Sequence, residues 1–283
     1  MSSAIELDLG RRLAGKVAVV TGASRGIGKG IALALGAQGC TVFVTGRTTG
    51  DGPRTIDTAA AQITAVGGKG IALQCDHADD DQIAALFEKV ANQTDHIDFL
   101  VNNVYKIPSP PAWGGGFWDH PIQVWDDQVG IGLRAHYVAS WHAAAMLFAA
   151  PAGAAIMNVS SPGGLSYHFS SSYGAGKAGL DRLTADMAIE LEPKGVAALT
   201  LYPGSVATEF IQDAAQSQDI DLSKSQSTAF VGTCATALLA APDIMQRSGS
   251  IQWVEDLADE FNNNEADGSR PPRYEQRPSA QAK

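Results

Sequence analysis

The chain has 283 residues, of which 45% are apolar and 18% are charged, and its formal net charge is −10 at pH 7. This length and composition predict one large α/β domain, or two small ones as the alternative, with ample apolar surface for a core. The acidic balance and the lack of a basic patch argue against nonspecific binding of nucleic acid.

The cysteines and the apolar stretches indicate the cellular compartment in which the protein is expected to act. Cys40, Cys75 and Cys234 are far apart and odd in number, so they predict neither a disulfide framework nor a CxxC metal site and indicate a reducing compartment. The segment "MSSAIELDLGRRLAGK" lacks the apolar region of a signal peptide. The longest apolar stretch, 138–155, is interrupted by a histidine, a proline and a glycine. We therefore expect a cytoplasmic protein with no membrane span.

Short β-branched runs alternate with longer alanine-rich segments along the chain. The runs predict strands at 16–22, 41–46, 70–76, 97–103, 154–160 and 196–204. The segments between them predict helices near 26–37, 55–66, 80–92, 122–148 and 172–192. Continuous apolar strands separated by helices are typical of a parallel sheet covered on both faces. With right-handed crossovers this becomes a doubly wound, Rossmann-type α/β sheet.

The composition changes near the C-terminus. From residue 262 onward the sequence "NNNEADGSRPPRYEQRPSAQAK" is polar, contains proline and has no periodicity. We interpret 262–283 as a mobile tail, or as a segment that docks on a neighbouring subunit. Residues 14–261 then form a single Rossmann-type domain, and residues 1–13 form an N-terminal extension.

The turn "TGASRGIG" directly follows the first predicted strand and opens the first helix. This strand–turn–helix setting is what a dinucleotide-binding motif requires. Gly22 allows the tight turn, Gly26 lets the backbone approach a pyrophosphate, and Gly28 lets the helix pack on the strand. The phosphates would lie at the positive end of the helix. The alternative is that the glycines only tighten the turn.

Further motifs follow this turn in order: "NN" after the fourth strand, a serine after the fifth, YxxxK on a helix, and "PG" after the sixth strand. In these motifs and in the spacing TGxxxGxG, the chain resembles the short-chain dehydrogenase/reductase family over about residues 14–255. The segments "NNVY", "WDD…GLRAHY", "VSSPGG" and "YGAGKA" indicate one subgroup of it. The resemblance implies a nicotinamide-dependent oxidoreductase that forms dimers or tetramers.

The end of the second strand bears on the choice of cofactor. An NAD site usually offers an acid there to the ribose 2′-hydroxyl, but this chain has Gly46 followed by Arg47. Arg25 lies within the glycine turn, and two guanidiniums can clamp a 2′-phosphate, so we predict NADP(H), with NAD(H) as the alternative. Asp51 is a rival acid in a glycine-rich loop. Either arginine could instead be a solvated surface charge.

Other cofactor contacts are implied by the resemblance. The candidates besides the residues above are Ser24, Ile27, Asp76, His77, Asn103, Val206 and Thr208, together with the catalytic Tyr173 and Lys177. In the family pattern, Asp76 and His77 flank the adenine, and Val206 and Thr208 face the nicotinamide. Asp76 could instead cap a turn, and Asn103 could hold the sheet together. Val206 and Thr208 could simply pack within a loop.

Tyr173 and Lys177 are one helical turn apart and share a face. Such pairs also occur on solvated helices, but the surrounding motifs favour catalysis. A tyrosine ordinarily ionises near pH 10, and a neighbouring ammonium favours its phenolate, so we expect Lys177 to lower the pKa of Tyr173. Tyr173 would serve as acid and base, and Ser161 would bind the carbonyl oxygen. Ser160 is the competing serine, and either one could satisfy turn backbone.

One position departs from the family pattern. Many members have an asparagine in the helix before the fifth strand, where it organises a water in a proton relay, and the aligned residue here is Gly132. We expect a water or another side chain to substitute, or the relay to be slow. His136 and His142 lie nearby and are expected to pack within the helix. The six histidines show no ligand spacing, so we predict no metal site.

The loop "YKIPSPPAWGGGFWDHP" follows the carboxyl edge of the sheet, where substrates bind. Its aromatic residues are Tyr105, Trp113, Phe117 and Trp118. They suggest an apolar or aromatic carbonyl substrate, bound by Tyr105, Ser161 and Tyr173, although they could instead cover the core or an interface. Residues 209–228 resemble a mobile lid over the substrate.

The predicted function is reduction of a carbonyl to an alcohol, or the reverse, by hydride transfer. The runner-up is an NAD(H)-dependent alcohol dehydrogenase. A nucleotide-sensing regulator would have no reason to keep Ser161, Tyr173 and Lys177 together, and a serine hydrolase would need a GxSxG motif that the chain lacks.

Overall fold

The computed structural model describes residues 12–274 and contains one sheet of seven parallel strands in the order β3-β2-β1-β4-β5-β6-β7. The strands are β1 Val17–Val20, β2 Thr41–Gly46, β3 Lys69–Gln74, β4 Phe99–Asn102, β5 Ala154–Val159, β6 Val196–Tyr202 and β7 Ile251–Trp253. The predicted doubly wound α/β sheet is therefore confirmed. The six predicted strands are present with ends shifted by at most two residues, and β7 was not predicted.

Helices cover both faces of the sheet. They are α1 Gly26–Ala37, α2 Ile56–Ala65, α3 Asp80–Ala91, α4 Gln123–Trp125, α5 Ala135–Phe148, α6 Ser171–Leu191, α7 Glu209–Ala215, α8 Thr228–Leu239 and α9 Val254–Glu260. A π-helical segment, Asp126–Arg134, joins α4 to α5, so the helix predicted at 122–148 consists of three continuous pieces. Helices α1, α2 and α8 pack on one face, and α3, α5 and α6 on the other.

The central strands are apolar throughout because each face of the sheet has its own core. Ala18 and Val20 of β1 point into the core beneath α1 and α8, and Val17 and Val19 point into the core beneath α3 and α5. This alternation follows from the two-residue repeat of a strand. Full burial of one such valine stabilises the fold by about 1.5–3 kcal/mol relative to exposure.

Residues 262–274 pack against the domain of the same chain. Asn263 is only 2% exposed, and the carboxylate of Glu265 accepts from the N–H of Ser227 at 2.7 Å. Arg270 and Arg273 both pair with Asp259 of α9. This part of the predicted tail therefore differs from the mobile segment expected from composition. Residues 275–283 and residues 1–11 of the predicted extension lie outside the described residues.

All three cysteines are buried, free thiols. Within residues 12–274 no helix combines the length and the apolar character that crossing a bilayer requires.

The strand order places the candidate site. The chain winds outward from β1 in both directions, to β2 and β3 on one side and to β4, β5 and β6 on the other. Ligands of such sheets bind in the crevice beyond the carboxyl ends of the strands, where the order reverses. The loops that follow β1, β4, β5 and β6 carry the glycine turn, Tyr105, Ser161 and Thr208 to that edge.

Candidate active site

The glycine turn joins β1 to the N-terminus of α1. Gly22 and Gly26 have φ angles of +65° and +62°, which only glycine adopts readily. At Gly28 an added Cβ would lie 2.3 Å from the amide nitrogen of Asn103, so no larger residue fits there. The N–H of Gly26 donates to a carboxylate oxygen of Glu209 at 2.8 Å. The turn thus already holds an anionic oxygen, and it fits the phosphate of a dinucleotide.

Asn103 braces this turn from the neighbouring strand. Its side-chain amide donates to the carbonyl oxygens of Thr21 at 2.9 Å and Gly22 at 3.1 Å. Its backbone N–H donates to the hydroxyl of Thr21 at 2.9 Å. The asparagine therefore supports a cofactor site by fixing the shape of the turn.

The two predicted arginines lie at the end of β2 and in the glycine turn. An added Cβ at buried Gly46 would lie 3.7 Å from the Cβ of Ser24, so the residues that follow, Arg47 and Arg25, project from adjacent backbone segments. Arg25 is exposed, and the side chain of Arg47 is 61% exposed with its guanidinium 3.9 Å from the carboxylate of Asp76. Two solvated cations at one edge can approach a phosphate without first breaking a strong ion pair.

His77 differs from its expected place. Its ring is buried and its Nε2 lies 2.7 Å from the hydroxyl of Thr45, and burial lowers its pKa to about 4. The side chain therefore points into the domain and cannot flank an adenine, which leaves only its backbone for that role. Val206 is likewise buried, in a bridge to Gln226. Thr208 caps α7, and its methyl group lies 3.5 Å from a Cβ added at Gly26.

Ser161 and Tyr173 meet at the carboxyl end of β5. Their hydroxyl oxygens are 2.7 Å apart. Ser161 begins a short 3₁₀ turn, and its oxygen also accepts from the N–H of Gly163 at 3.1 Å, which fixes its direction. Ser160 is buried and lies 3.4 Å from the carbonyl oxygen of Lys177. The geometry therefore brings Ser161, and not Ser160, to the tyrosine.

Lys177 lies beneath this pair. Its buried ammonium donates to the carbonyl oxygen of Val159 at 3.0 Å and lies 5.9 Å from the ring centre of Tyr173. Burial lowers the pKa of Lys177 to about 8, and Asp181 opposes that shift. Burial also raises the pKa of Tyr173, while the Ser161 hydrogen bond acts in the opposite direction. The expected lowering of the Tyr173 pKa by Lys177 is therefore absent, and the phenol is protonated at neutral pH.

Two groups near Lys177 were missed in the sequence. Asp181 accepts a hydrogen bond from the hydroxyl of Tyr202, and burial raises its pKa to about 6. The signal for Asp181 was present, because Tyr173, Lys177 and Asp181 follow one another at four-residue spacing on one helix face. Nothing local marks Tyr202, which enters from β6.

Aromatic rings cluster around the side chain of Tyr173. The ring centre of Phe169 is 5.2 Å from that of Tyr173, and Trp113 lies 6.1 Å from Phe169 and 5.9 Å from Phe210 of α7. Tyr105 meets Tyr173 edge to face at 5.9 Å. Trp113 and Tyr105 were predicted from the sequence, but the phenylalanines were missed, because Phe169 comes from the segment before α6 and Phe210 from α7. Its other two aromatic candidates, Phe117 and Trp118, are mostly exposed.

A turn for a dinucleotide together with a half-buried phenol and a buried amine is built for proton-coupled hydride transfer, which is the chemistry of nicotinamide-dependent oxidoreductases. The family model described as short chain dehydrogenase matches residues 16–219. The chain belongs to the short-chain dehydrogenase/reductase family, and it is an NAD(P)-dependent oxidoreductase of that family.

Individual relatives agree with this assignment. Dehydrogenase/reductase SDR family member 1 of Mus musculus is 38% identical over 268 residues, which cover 90% of this chain and 84% of the mouse protein. Similarity to that subgroup confirms the indication from "NNVY" and "YGAGKA". A short-chain dehydrogenase from Mycobacterium thermoresistibile superposes with a TM-score of 0.79, 27% identity and 92% of each chain covered. One from Burkholderia cenocepacia, in complex with NADP, has a TM-score of 0.73 and 29% identity over 86% of this chain and 97% of its own.

Proposed function

We propose that this enzyme interconverts a carbonyl and an alcohol on a small apolar or aromatic compound, with NADP(H) as the hydride carrier. The observation that carries the proposal is the 2.7 Å contact between the hydroxyls of Ser161 and Tyr173, above the buried ammonium of Lys177. The aromatic rings around Tyr173 support the apolar substrate class, because they offer a carbonyl compound little besides dispersion and hydrophobic contact.

The protein's own groups manage the proton. A bound nicotinamide supplies or accepts the hydride. Tyr173 donates its hydroxyl proton to the developing alkoxide, and the hydroxyl of Ser161 donates a hydrogen bond to the same oxygen. Because burial keeps Tyr173 protonated near neutral pH, the resting site is prepared for reduction. Lys177 supplies a positive charge below the phenol, and we assign it a contact with the nicotinamide ribose.

The cofactor preference rests on the second strand. Gly46 provides no acid for a ribose 2′-hydroxyl, and Arg25 and Arg47 are exposed beside it. The NADP complex of the Burkholderia relative is consistent with this preference. One observation favours the NAD(H) alternative: Asp76 lies 3.9 Å from Arg47 and is an acid at the same edge.

We propose further that the enzyme acts in the cytoplasm as a homo-oligomer. Aromatic side chains are exposed along α5, and Ile189 of α6 is 71% exposed. Exposed large apolar side chains in such number favour an interface.

Tyr173→Phe tests the proton donor. We expect turnover to fall at least about a hundredfold on any good carbonyl substrate, because general acid catalysis contributes roughly 10²–10⁴. Binding of NADPH, followed by quenching of tryptophan fluorescence, should remain within about twofold. Tyr167→Phe removes an exposed phenol and is the matched control. Near-normal turnover in Tyr173→Phe would falsify the mechanism.

Arg47→Ala tests the phosphate clamp. A hydrogen bond to a charged group contributes about 1.5–3 kcal/mol, so NADPH affinity should fall roughly ten- to a hundredfold. NADH has no 2′-phosphate and should bind almost unchanged. Gly46→Asp should go further and favour NADH, although its Cβ would lie 3.0 Å from a methyl group of Ile56. Equal losses for both cofactors, or a wild type that prefers NADH, would contradict the clamp.

A further inference from the structure

Tyr105 and Gly132 fit together across the site. Gly132 is buried in the π-helical segment between α4 and α5. A Cβ added there would lie 3.1 Å and 3.3 Å from two edge carbons of the Tyr105 ring. The ring therefore occupies the space that a side chain at position 132 would need, and it enters from the loop that follows β4. π-Helical segments are rare and are frequently found at functional sites.

The other side of the Tyr105 ring faces the amine. The Nζ atom of Lys177 lies 5.3 Å from the ring centre, closer than to the ring of Tyr173. Buried Gln128 lowers the pKa of the Tyr105 hydroxyl, against the larger raising effect of burial. The side-chain oxygen of Gln128 accepts from the hydroxyl of Ser170 at 3.0 Å. The face of the Tyr105 ring is already taken by a cation.

The charged form of Lys177 is supported by the carbonyl oxygen of Val159 and by Asp181, yet burial still lowers its pKa to about 8. Four titratable side chains face it: Tyr173 and Asp181 from α6, His136 from α5, and Tyr105. Burial lowers the pKa of His136 to about 3, so it is neutral, and Asp181 is engaged by a tyrosine hydroxyl from β6. A buried ammonium under an aromatic ring is stabilised by the ring's negative face. Tyr105 supplies that face.

We propose that Tyr105 is a positioning residue for Lys177: its ring, seated over Gly132, holds the ammonium charged and beneath Tyr173. The catalytic purpose of this role rests on the proposed carbonyl–alcohol chemistry. The physical effect of the ring on the lysine does not depend on that chemistry. The proposal also changes the role assigned to Tyr105. Because its ring lies between Gly132 and Lys177, it acts on Lys177 and does not line the substrate site.

The experiment compares Tyr105→Leu with Tyr105→Phe. The pKa of Lys177 is followed by NMR of ¹³Cε-labelled lysines, with the resonance assigned from Lys177→Arg. Phenylalanine keeps the aromatic face, so the lysine pKa should stay within a few tenths of wild type. Leucine removes that face, and we expect the pKa to fall by about one unit from about 8, leaving roughly a tenth of the amine charged at pH 8. Equal pKa values in wild type and Tyr105→Leu would overturn the proposal.

Gly132→Leu provides a second variant in case Tyr105→Leu folds poorly. Its Cβ alone would lie 3.1 Å from an edge carbon of the Tyr105 ring, so the rest of the larger side chain must displace the ring and the lysine pKa should again fall. An unchanged value in a folded Gly132→Leu protein counts against the role.

Kinetics then separate positioning from substrate binding. With a panel of aromatic aldehydes and NADPH, Tyr105→Leu should lower kcat about fivefold at pH 8 with little change in KM for the aldehyde, because the charged fraction of the amine falls from about one half to about one tenth. Tyr105→Phe should restore kcat. A raised KM with an unchanged lysine pKa would make Tyr105 a substrate contact instead. If wild type reduces no carbonyl while the lysine pKa shifts as expected, the proposed function fails and the positioning role stands.

Discussion

Three titratable side chains lie along one face of α6, and burial pushes each toward its neutral form. The pKa of Tyr173 is raised, that of Lys177 is lowered to about 8, and that of Asp181 is raised to about 6. Desolvation dominates in all three cases because the helix is packed beneath the carboxyl edge of the sheet. Burial of these groups destabilises the folded state, and the size of this effect can be measured at Asp181.

Asp181→Asn should stabilise the protein at neutral pH. The folded pKa of Asp181 is about 6 and the model-compound value is 3.8. A raised folded pKa gives stability that is fully present below pH 3.8 and is lost as pH rises through 6. Asparagine does not titrate and can still accept the hydrogen bond from Tyr202. The stability gain of the variant should therefore grow between pH 4 and 6, to on the order of 1–3 kcal/mol.

Urea unfolding at pH 4, 5, 6 and 7 measures this gain. Asp186→Asn, on the same helix but in an exposed pair with Arg182, is the matched control and should show no such growth over this range. A constant difference between wild type and Asp181→Asn across the range would show that the carboxyl group carries no burial penalty.

For individual residues, the sequence predicts those relationships that depend on spacing along the chain. Tyr173 and Lys177 were identified because they are one helical turn apart and lie in the expected order of motifs. Glu209 was missed because its partner, the N–H of Gly26, is 183 residues away. The direction of the His77 ring was also hidden, because it depends on Thr45 from a neighbouring strand.

Helix α7 closes over the glycine turn. Besides the contact of Glu209 with Gly26, Asp213 forms a two-pronged ion pair with Arg54 in the segment that precedes α2. One end of α7 is therefore held at the turn and the other at Arg54. A carboxylate and a cofactor phosphate compete for the same positive helix end.

Glu209→Gln should tighten NADPH binding. Glutamine can keep a hydrogen bond to Gly26, but a neutral one is weaker by about 1 kcal/mol, so affinity should rise roughly fivefold. Glu190→Gln makes the same charge change on an exposed face of α6 and is the matched control. 2′-AMP has no 5′-phosphate and should bind both proteins equally, whereas 2′,5′-ADP should prefer the variant. Weaker NADPH binding to Glu209→Gln, measured by calorimetry, would mean that the carboxylate assists the cofactor.

The elements themselves were predictable where burial is uniform. Strands β1, β2, β4, β5 and β6 are almost entirely buried, so their apolar runs are visible in the sequence, and the partly exposed edge strand β3 still has an apolar run at residues 71–73. Strand β7 has only three residues and is partly exposed, which leaves no distinct pattern. Residues 262–274 are polar yet packed on the domain, because Arg270 and Arg273 pair with acids on α9 that composition cannot connect to them.

At the scale of the whole molecule, helix α5 exposes large aromatic side chains, which is unusual for a chain that acts alone. Tyr137, Trp141 and Phe148 of α5 are spaced by four and seven residues, so they form one exposed stripe. Ile189 of α6 is exposed as well. A patch used by two identical copies must be self-complementary, which flat aromatic and aliphatic side chains allow.

Trp141→Glu should therefore dissociate the proposed oligomer. The Trp141 side chain is 66% exposed in the single chain, and a carboxylate in its place would be buried without a partner at the interface. Light scattering should give a species of at least twice 29.5 kDa for wild type at micromolar concentration and a 29.5 kDa species for the variant. Val66→Glu, which replaces another exposed apolar residue at the end of α2, should leave the assembly intact. A wild type found only at 29.5 kDa, or equal dissociation by both substitutions, would remove the α5 stripe from consideration as the interface.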